Sequence, residues 1–178
     1  STVGMHNVYN ACAAFVCGML AGVTPDEAVA GLAGYVPDGR RQKFTRRSGM
    51  VFIEDCYNAS PDSIRASLAV LAAAECKGRR IAVLGDMLEL GDYAKTAHTD
   101  CGRMVAENGI DVLLAYGPNA VYYVEGAGQK VECRHYADKA QLTAELHAML
   151  AEGDVVLFKA SRGMKLEDVF NELYTKFE

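Results

Sequence analysis

From Pro37 onward the chain alternates short apolar runs with helical stretches, and that alternation constrains its fold more than any other feature. Val51 to Asp55, Arg80 to Leu84, Asp111 to Ala115, Glu132 to Tyr136 and Val155 to Lys159 read as strands. Pro61 to Glu75, Thr96 to Asn108, Asn119 to Val124, Lys139 to Leu150 and Leu166 to Phe177 read as the helices that follow them. Lys43 to Arg47 joins Val51 to Asp55 as a hairpin about Ser48-Gly49. Short apolar strands separated by helices predict an α/β fold: a mostly parallel, Rossmann-like sheet covered by helices on both faces.

Residues 7 to 21, before that alternation, are apolar and rich in alanine, ending at Gly22. A second helix opens at Thr24, whose hydroxyl can cap it, with Pro25 in the first helical position and Asp26 and Glu27 in the first turn. That helix ends between Gly31 and Gly34, and Pro37-Asp38-Gly39 reads as a boundary. The expected organisation is a helical piece over residues 1–36 and an α/β domain over residues 37–178. The 178 residues are enough for one ordinary domain with a small appendage. A chain of this length hides roughly 70% of its unfolded surface.

A net charge of −5 without a long run of one sign argues against a sequence-independent nucleic-acid surface. The basic cluster Arg40, Arg41, Lys43, Arg46 and Arg47 suits a phosphate-bearing small molecule better. Six cysteines, none in a C-x-x-C pair, read as reduced thiols of a cytosolic protein rather than a disulfide frame. No apolar run approaches the eighteen or so residues of a membrane span, and no secretory signal is evident.

The chemistry concentrates at strand ends. Val51 to Ile53 run into Glu54-Asp55, followed by the polar turn Cys56 to Ser60 and by Pro61. Ligands of open parallel sheets bind outside the carboxyl ends of strands, so Asp55 stands where a carboxylate can accept hydrogen bonds from ribose hydroxyls; it can equally cap its own turn. Asn7 and Asn10 share a helix face beside His6, either as N-terminal capping groups or as amides able to donate to and accept from a base edge. Lys159, Ser161 and Arg162 precede the last helix, where two cations and a hydroxyl suit a carboxylate. Asp86 and Glu89 can orient an amine or cap the next turn, the structural role being the favoured one, and His98, His135 and His147 read as ordinary core or surface histidines. The phosphate-binding pattern G-x-x-x-x-G-K-[ST] is absent, as is any convincing spacing of metal ligands.

Taken in order, Gly4-Met5-His6-Asn7-Val8-Tyr9-Asn10-Ala11, Gly39-Arg40, Asp55-Cys56-Tyr57-Asn58-Ala59-Ser60-Pro61-Asp62-Ser63, Gly85-Asp86-Met87-Leu88-Glu89-Leu90-Gly91 and Lys159-Ala160-Ser161-Arg162-Gly163 resemble the Mur ligases of peptidoglycan synthesis. The likeness covers nearly the whole chain. It is greatest to the branch that adds D-alanyl-D-alanine to UDP-N-acetylmuramoyl-tripeptide. It implies an ATP-dependent ligase, acting through an acyl phosphate, of which this chain is the C-terminal domain preceded by the last helices of the central ATPase domain. The resemblance places His6, Asn7, Asn10, Arg40 and Asp55 at ATP, with Arg41 as the alternative to Arg40. It places Asn58, Ser60, Lys159, Ser161 and Arg162 at the incoming dipeptide, Lys159 and Arg162 as the catalytic cations. Mg2+ ligands and the phosphate loop are expected in the rest of the central domain, so the fragment alone is expected to be inactive. A cytoplasmic monomer without nucleic-acid or membrane partners is the accompanying expectation. The competing readings are another Mur ligase, a folylpolyglutamate synthetase-type amide ligase, or a stand-alone nucleotide-binding module. Ala160, where relatives often carry Gly, and Ser60, where many carry Asn, depart from the family pattern.

Overall fold

The computed structural model describes residues 4–36 and 41–177. Two helices come first, α1 (Met5–Leu20) and α2 (Pro25–Ala33). Thr24 caps α2 through a reciprocal pair: its hydroxyl accepts from the Glu27 N–H, and the Glu27 carboxylate accepts from the Thr24 N–H. Neither helix buries a residue or adds a strand. The Pro37-Asp38-Gly39 turn lies outside the described residues.

The remainder is a six-stranded sheet in the order β1-β2-β6-β3-β4-β5. Its strands are β1 (Lys43–Arg47), β2 (Met50–Asp55), β3 (Arg80–Gly85), β4 (Val112–Tyr116), β5 (Glu132–Tyr136) and β6 (Val155–Lys159). Among the described strands only β1 is antiparallel, and it is one of the two edge strands. The hairpin turns at Ser48 (φ 47°) and Gly49 (φ 74°), the two positive φ values a tight turn needs to match the twist of its strands.

Side chains alternate between two cores, as the pleat dictates. Ile53, Ala82, Leu84, Leu113, Ala115 and Leu157 face one core. Phe52, Ile81, Val83, Leu114, Val156 and Phe158 face the other. The first core is closed by α3 (Pro61–Ala73), α4 (Ala94–Glu107) and α5 (Val121–Ala127), through Leu68, Leu71, Cys101, Val105 and Tyr123. The second is closed by α6 (Lys139–Met149) and α7 (Glu167–Thr175), through Leu142, Leu146, Phe170 and Leu173. The sequence-based expectation of a mostly parallel sheet with helices on both faces therefore holds.

Several boundaries shift by a few residues, and two of the shifts have local reasons. The helix expected from Asn119 starts at Val121, because the Asn119 N–H and side-chain amide are tied to Asp86. The helix expected from Leu166 starts at Glu167, after a 3-10 turn (Arg162–Met164) and a left-handed Lys165. Lys159, Ser161 and Arg162 therefore do not stand at the N-terminus of α7, whose first turn carries Glu167 and Asp168.

The chain steps outward from β2 through β3, β4 and β5, then returns by α6 to insert β6 between β2 and β3. Connections on opposite faces diverge there, which opens a crevice at the carboxyl ends of the strands.

Candidate functional site

Asp55 and Lys159 are the last residues of β2 and β6, and the parallel register sets them side by side. The Lys159 side chain is 2% exposed, and its ammonium donates to Asp55 Oδ2 at 2.8 Å and to the Asn58 carbonyl at 3.0 Å. The Ser67 hydroxyl, one turn into α3, donates to the same Oδ2 at 2.7 Å. These contacts fix the carboxylate, and among the described residues Oδ1 has no donor.

The pair opens into a cavity of about 700 Å³, within the usual range for a small-molecule site. Its far wall is α1, which contributes His6, Asn7 and Asn10. Gln42, the residue before β1, joins the two walls: Asn7 Nδ2 donates to Gln42 Oε1 at 2.9 Å, and Gln42 Nε2 lies 3.4 Å from His6 Nε2. Arg41 and Tyr57 complete the rim, with the guanidinium 4.1 Å from the ring centroid. Arg162 reaches the same ring at 5.5 Å. Among the described residues no carboxylate pairs with Arg41 or Arg162. Two cations beside one tyrosine repel each other, and a bound anion would offset that repulsion.

Of the residues nominated from sequence, His6, Asn7, Asn10, Asp55, Asn58, Ser60 and Lys159 all line this cavity. Arg40 lies outside the described residues. Ser60 and Asn58 have local duties: the Ser60 hydroxyl accepts from the Ser63 N–H as the cap of α3, and Asn58 Oδ1 accepts from the Ala59 N–H. The trio Lys159, Ser161 and Arg162 is divided. Lys159 is held by Asp55, Ser161 turns to the β3 loop, and Arg162 lies by Tyr57.

That β3 loop is built around Asp86, which is fully buried. Its Oδ2 accepts from the Asn119 N–H at 3.1 Å, and its carbonyl accepts from the Ser161 N–H at 3.2 Å. The Ser161 hydroxyl in turn accepts from the Leu88 N–H at 3.0 Å. The loops after β3, β4 and β6 are thereby sewn together. His98 is buried beneath them, donating from Nδ1 to the Ala94 carbonyl (2.7 Å) and accepting at Nε2 from the Met87 N–H (3.0 Å). Burial lowers its pKa, against the opposing pull of Ala94 and Asp86, so it is a neutral core histidine. Cys56, in the turn beside Asp55, donates to the Phe158 carbonyl, and burial pushes its thiol far above the ordinary value. It has no nucleophilic character. No group of three or more His, Cys, Asp or Glu among the described residues is arranged to hold a metal ion. None of the described helices is long and apolar enough to cross a membrane.

Gln42, Tyr57, Ser67 and Arg41 are the contributors that sequence reasoning missed or ranked second. Tyr57 and Ser67 carried a signal, an aromatic two residues past Asp55 and a hydroxyl on the inner face of α3. Gln42 carried none.

Three comparisons with known proteins bear on the fold and the family. A family model described as Mur ligase, glutamate ligase domain matches residues 39–162. The UDP-N-acetylmuramoyl-tripeptide--D-alanyl-D-alanine ligase of Bacillus subtilis (strain 168) is 40% identical over 175 residues, covering 96% of this chain and 38% of that protein. Its counterpart in Escherichia coli (strain K12) is 36% identical over 176 residues, covering 96% and 37%. Among solved structures, MurF from Acinetobacter baumannii superposes with a TM-score of 0.86 at 32% identity, over 97% of this chain and 38% of that one. MurF ligase from Thermotoga maritima, crystallised in complex with ADP, gives 0.81 at 26% identity, over 99% and 40%. The chain thus spans about two fifths of the length of the relatives it matches. A family model that matches more than half of the chain, and relatives up to 40% identical over 96% of it, show that the chain belongs to the Mur ligase family.

Proposed function

We propose that this chain forms one side of the catalytic cleft of an ATP-dependent ligase that joins D-alanyl-D-alanine to UDP-N-acetylmuramoyl-tripeptide in the cytoplasm. The observation that carries the reading is the Asp55–Lys159 pair at the ends of neighbouring strands, facing a cavity walled by His6 and Asn7. The names of relatives 40% and 36% identical over 96% of the chain supply the substrates. ATP is a substrate in this scheme. The tripeptide carboxylate attacks its terminal phosphoryl group, releasing ADP, and the dipeptide amine then displaces phosphate from the acyl phosphate to form the amide.

The roles follow from what each side chain has available. Asp55 Oδ1 accepts from the ribose hydroxyls, with Lys159 and Ser67 holding the carboxylate in place. Lys159 thereby becomes a positioning residue rather than the substrate-binding cation expected from sequence. His6, Asn7 and Asn10 face the base; the role of Arg40 at the ribose and phosphates rests on the family resemblance alone. Arg162 is the cation left for the dipeptide carboxylate, with Ser161 fixing the backbone of its loop. The described residues offer no donor set for Mg2+, and no step is assigned to it. A protein of this kind works as a monomer, its C-terminal domain closing to exclude water once both substrates are seated.

The test uses the intact ligase that carries this sequence. Asp55→Ala and Arg40→Ala should each raise KM for ATP about tenfold, the effect of one charge-assisted hydrogen bond. Arg162→Ala should raise KM for the dipeptide far more than KM for ATP. If Arg41→Ala has the ATP effect and Arg40→Ala has none, the nucleotide arginine is Arg41. Turnover with lysine or diaminopimelate in place of D-alanyl-D-alanine would overturn the assignment.

A further inference from the structure

Asp86 follows the last residue of β3 and is fully buried among the strand-end loops. Its Oδ2 accepts from the Asn119 N–H at 3.1 Å and from the Asn119 side-chain amide at 3.2 Å. The other oxygen has no hydrogen-bond partner among the described residues, so the polar hold of this side chain runs through Asn119. The Asp86 N–H donates to the Tyr116 carbonyl at 3.1 Å. Gly117 leaves room for the carboxyl group: a Cβ there would stand 2.6 Å from Asp86 Oδ1. The turn after β3 is thus fastened to the loop after β4.

The same turn grips the loop after β6. The Asp86 carbonyl accepts from the Ser161 N–H at 3.2 Å, and the Leu88 N–H donates to Ser161 Oγ at 3.0 Å. On the other side of Arg162, a Cβ at Gly163 would stand 2.7 Å from Leu88 Cδ1. Arg162 therefore projects from a backbone pressed on both flanks by the turn that Asp86 anchors. Asp55 and Lys159 are held differently, by the register of β2 and β6 and by Ser67.

We propose that Asp86, braced by Asn119, is a positioning residue for Arg162 and hence for the carboxylate of the incoming dipeptide, touching neither. The proposal rests on the reading that Arg162 receives that carboxylate. A guanidinium grips a carboxylate through two directed bonds, so its aim matters as much as its charge. Releasing the turn should loosen that aim and leave the nucleotide contacts in place.

The experiment measures kcat and KM for D-alanyl-D-alanine and for ATP in the intact ligase that carries this sequence. Asp86→Ala should raise KM for the dipeptide about fivefold or more and change KM for ATP less than about twofold, the size of effect expected of a residue coupled to a site it does not touch. Asn119→Ala removes one bond from a half-buried position and should show the same pattern at about threefold, which keeps the test open if Asp86→Ala does not fold. In an Arg162→Ala background neither substitution should raise the dipeptide KM further, because the group they aim is gone. Equal effects on the two substrates, effects that multiply with that of Arg162→Ala, or lost stability with both KM values unchanged overturn the proposal. If Arg162→Ala by itself leaves the dipeptide KM unchanged, the reading of Arg162 fails and this proposal falls with it.

Discussion

Replacing Lys159 by Met removes the ammonium while keeping most of the buried stem. Two contacts disappear, the 2.8 Å bond to Asp55 Oδ2 and the 3.0 Å bond to the Asn58 carbonyl. Breaking a fully buried ion pair costs about 3–5 kcal/mol, because the remaining charge is stranded. Asp55 is not fully stranded: its side chain is 14% exposed, faces the cavity and keeps the Ser67 hydroxyl. The expected cost is therefore nearer the value of a lost charged hydrogen bond, about 2–3 kcal/mol. Asp55→Asn should cost about 1.5–3 kcal/mol, since it leaves a buried ammonium facing a neutral amide. The double variant should cost less than the sum by at least ~1 kcal/mol, because the pair interacts directly. Urea unfolding of the four proteins, with midpoint and slope both fitted, measures the cycle. Costs that simply add, or single variants within ~0.5 kcal/mol of wild type, would refute the claim that Lys159 holds Asp55.

Three further outcomes follow from the packing. A Cβ added at Gly126 would sit 2.0 Å from the Thr99 carbonyl oxygen where α4 and α5 cross, so Gly126→Ala should lose about 3 kcal/mol in the same assay. His98 has its pKa lowered by burial, so its contribution is present above the ordinary imidazole value of about 6.5 and declines as the pH falls below it. Between pH 7.5 and 5 the wild type should lose more stability than His98→Gln, and parallel curves would count against a neutral buried imidazole. Asp154 is desolvated by burial, which raises its pKa, but bonds from Arg79 and the Ala151 N–H outweigh this and lower it. Its stabilisation is therefore present above about pH 4 and lost as the pH falls through the lower folded value. Asp154→Asn should cost about 2–3 kcal/mol at pH 7, and the gap to wild type should close in acid.

What the sequence disclosed and what it hid divide along physical lines. Local chemistry was legible: Thr24 and Glu27 cap α2, and Ser48-Gly49 closes the hairpin, because those residue types serve those backbone needs wherever they occur. Strand ends were legible too, since each apolar run gives way there to a charged residue, Asp55 or Lys159. The pairing of Asp55 with Lys159 was not, because the two lie 104 residues apart and meet only when β6 inserts between β2 and β3. Gln42 was hidden for a different reason, since nothing in its neighbours announces a positive φ on a glutamine. The 3-10 turn at Arg162 was masked by the apolar periodicity continuing behind it, and only Lys165, left-handed, and Leu166 separate the turn from α7.

The measurement that bears most directly on the cavity is a titration of the 15N-labelled chain with ADP and with 2′,3′-dideoxy-ADP. The account predicts that ADP perturbs the amides of Asn7, Asp55 and Tyr57 together, and that the dideoxy analogue binds about tenfold more weakly, having lost the hydroxyls that Asp55 accepts. Shifts confined to another surface, or equal affinity for the two nucleotides, would contradict it.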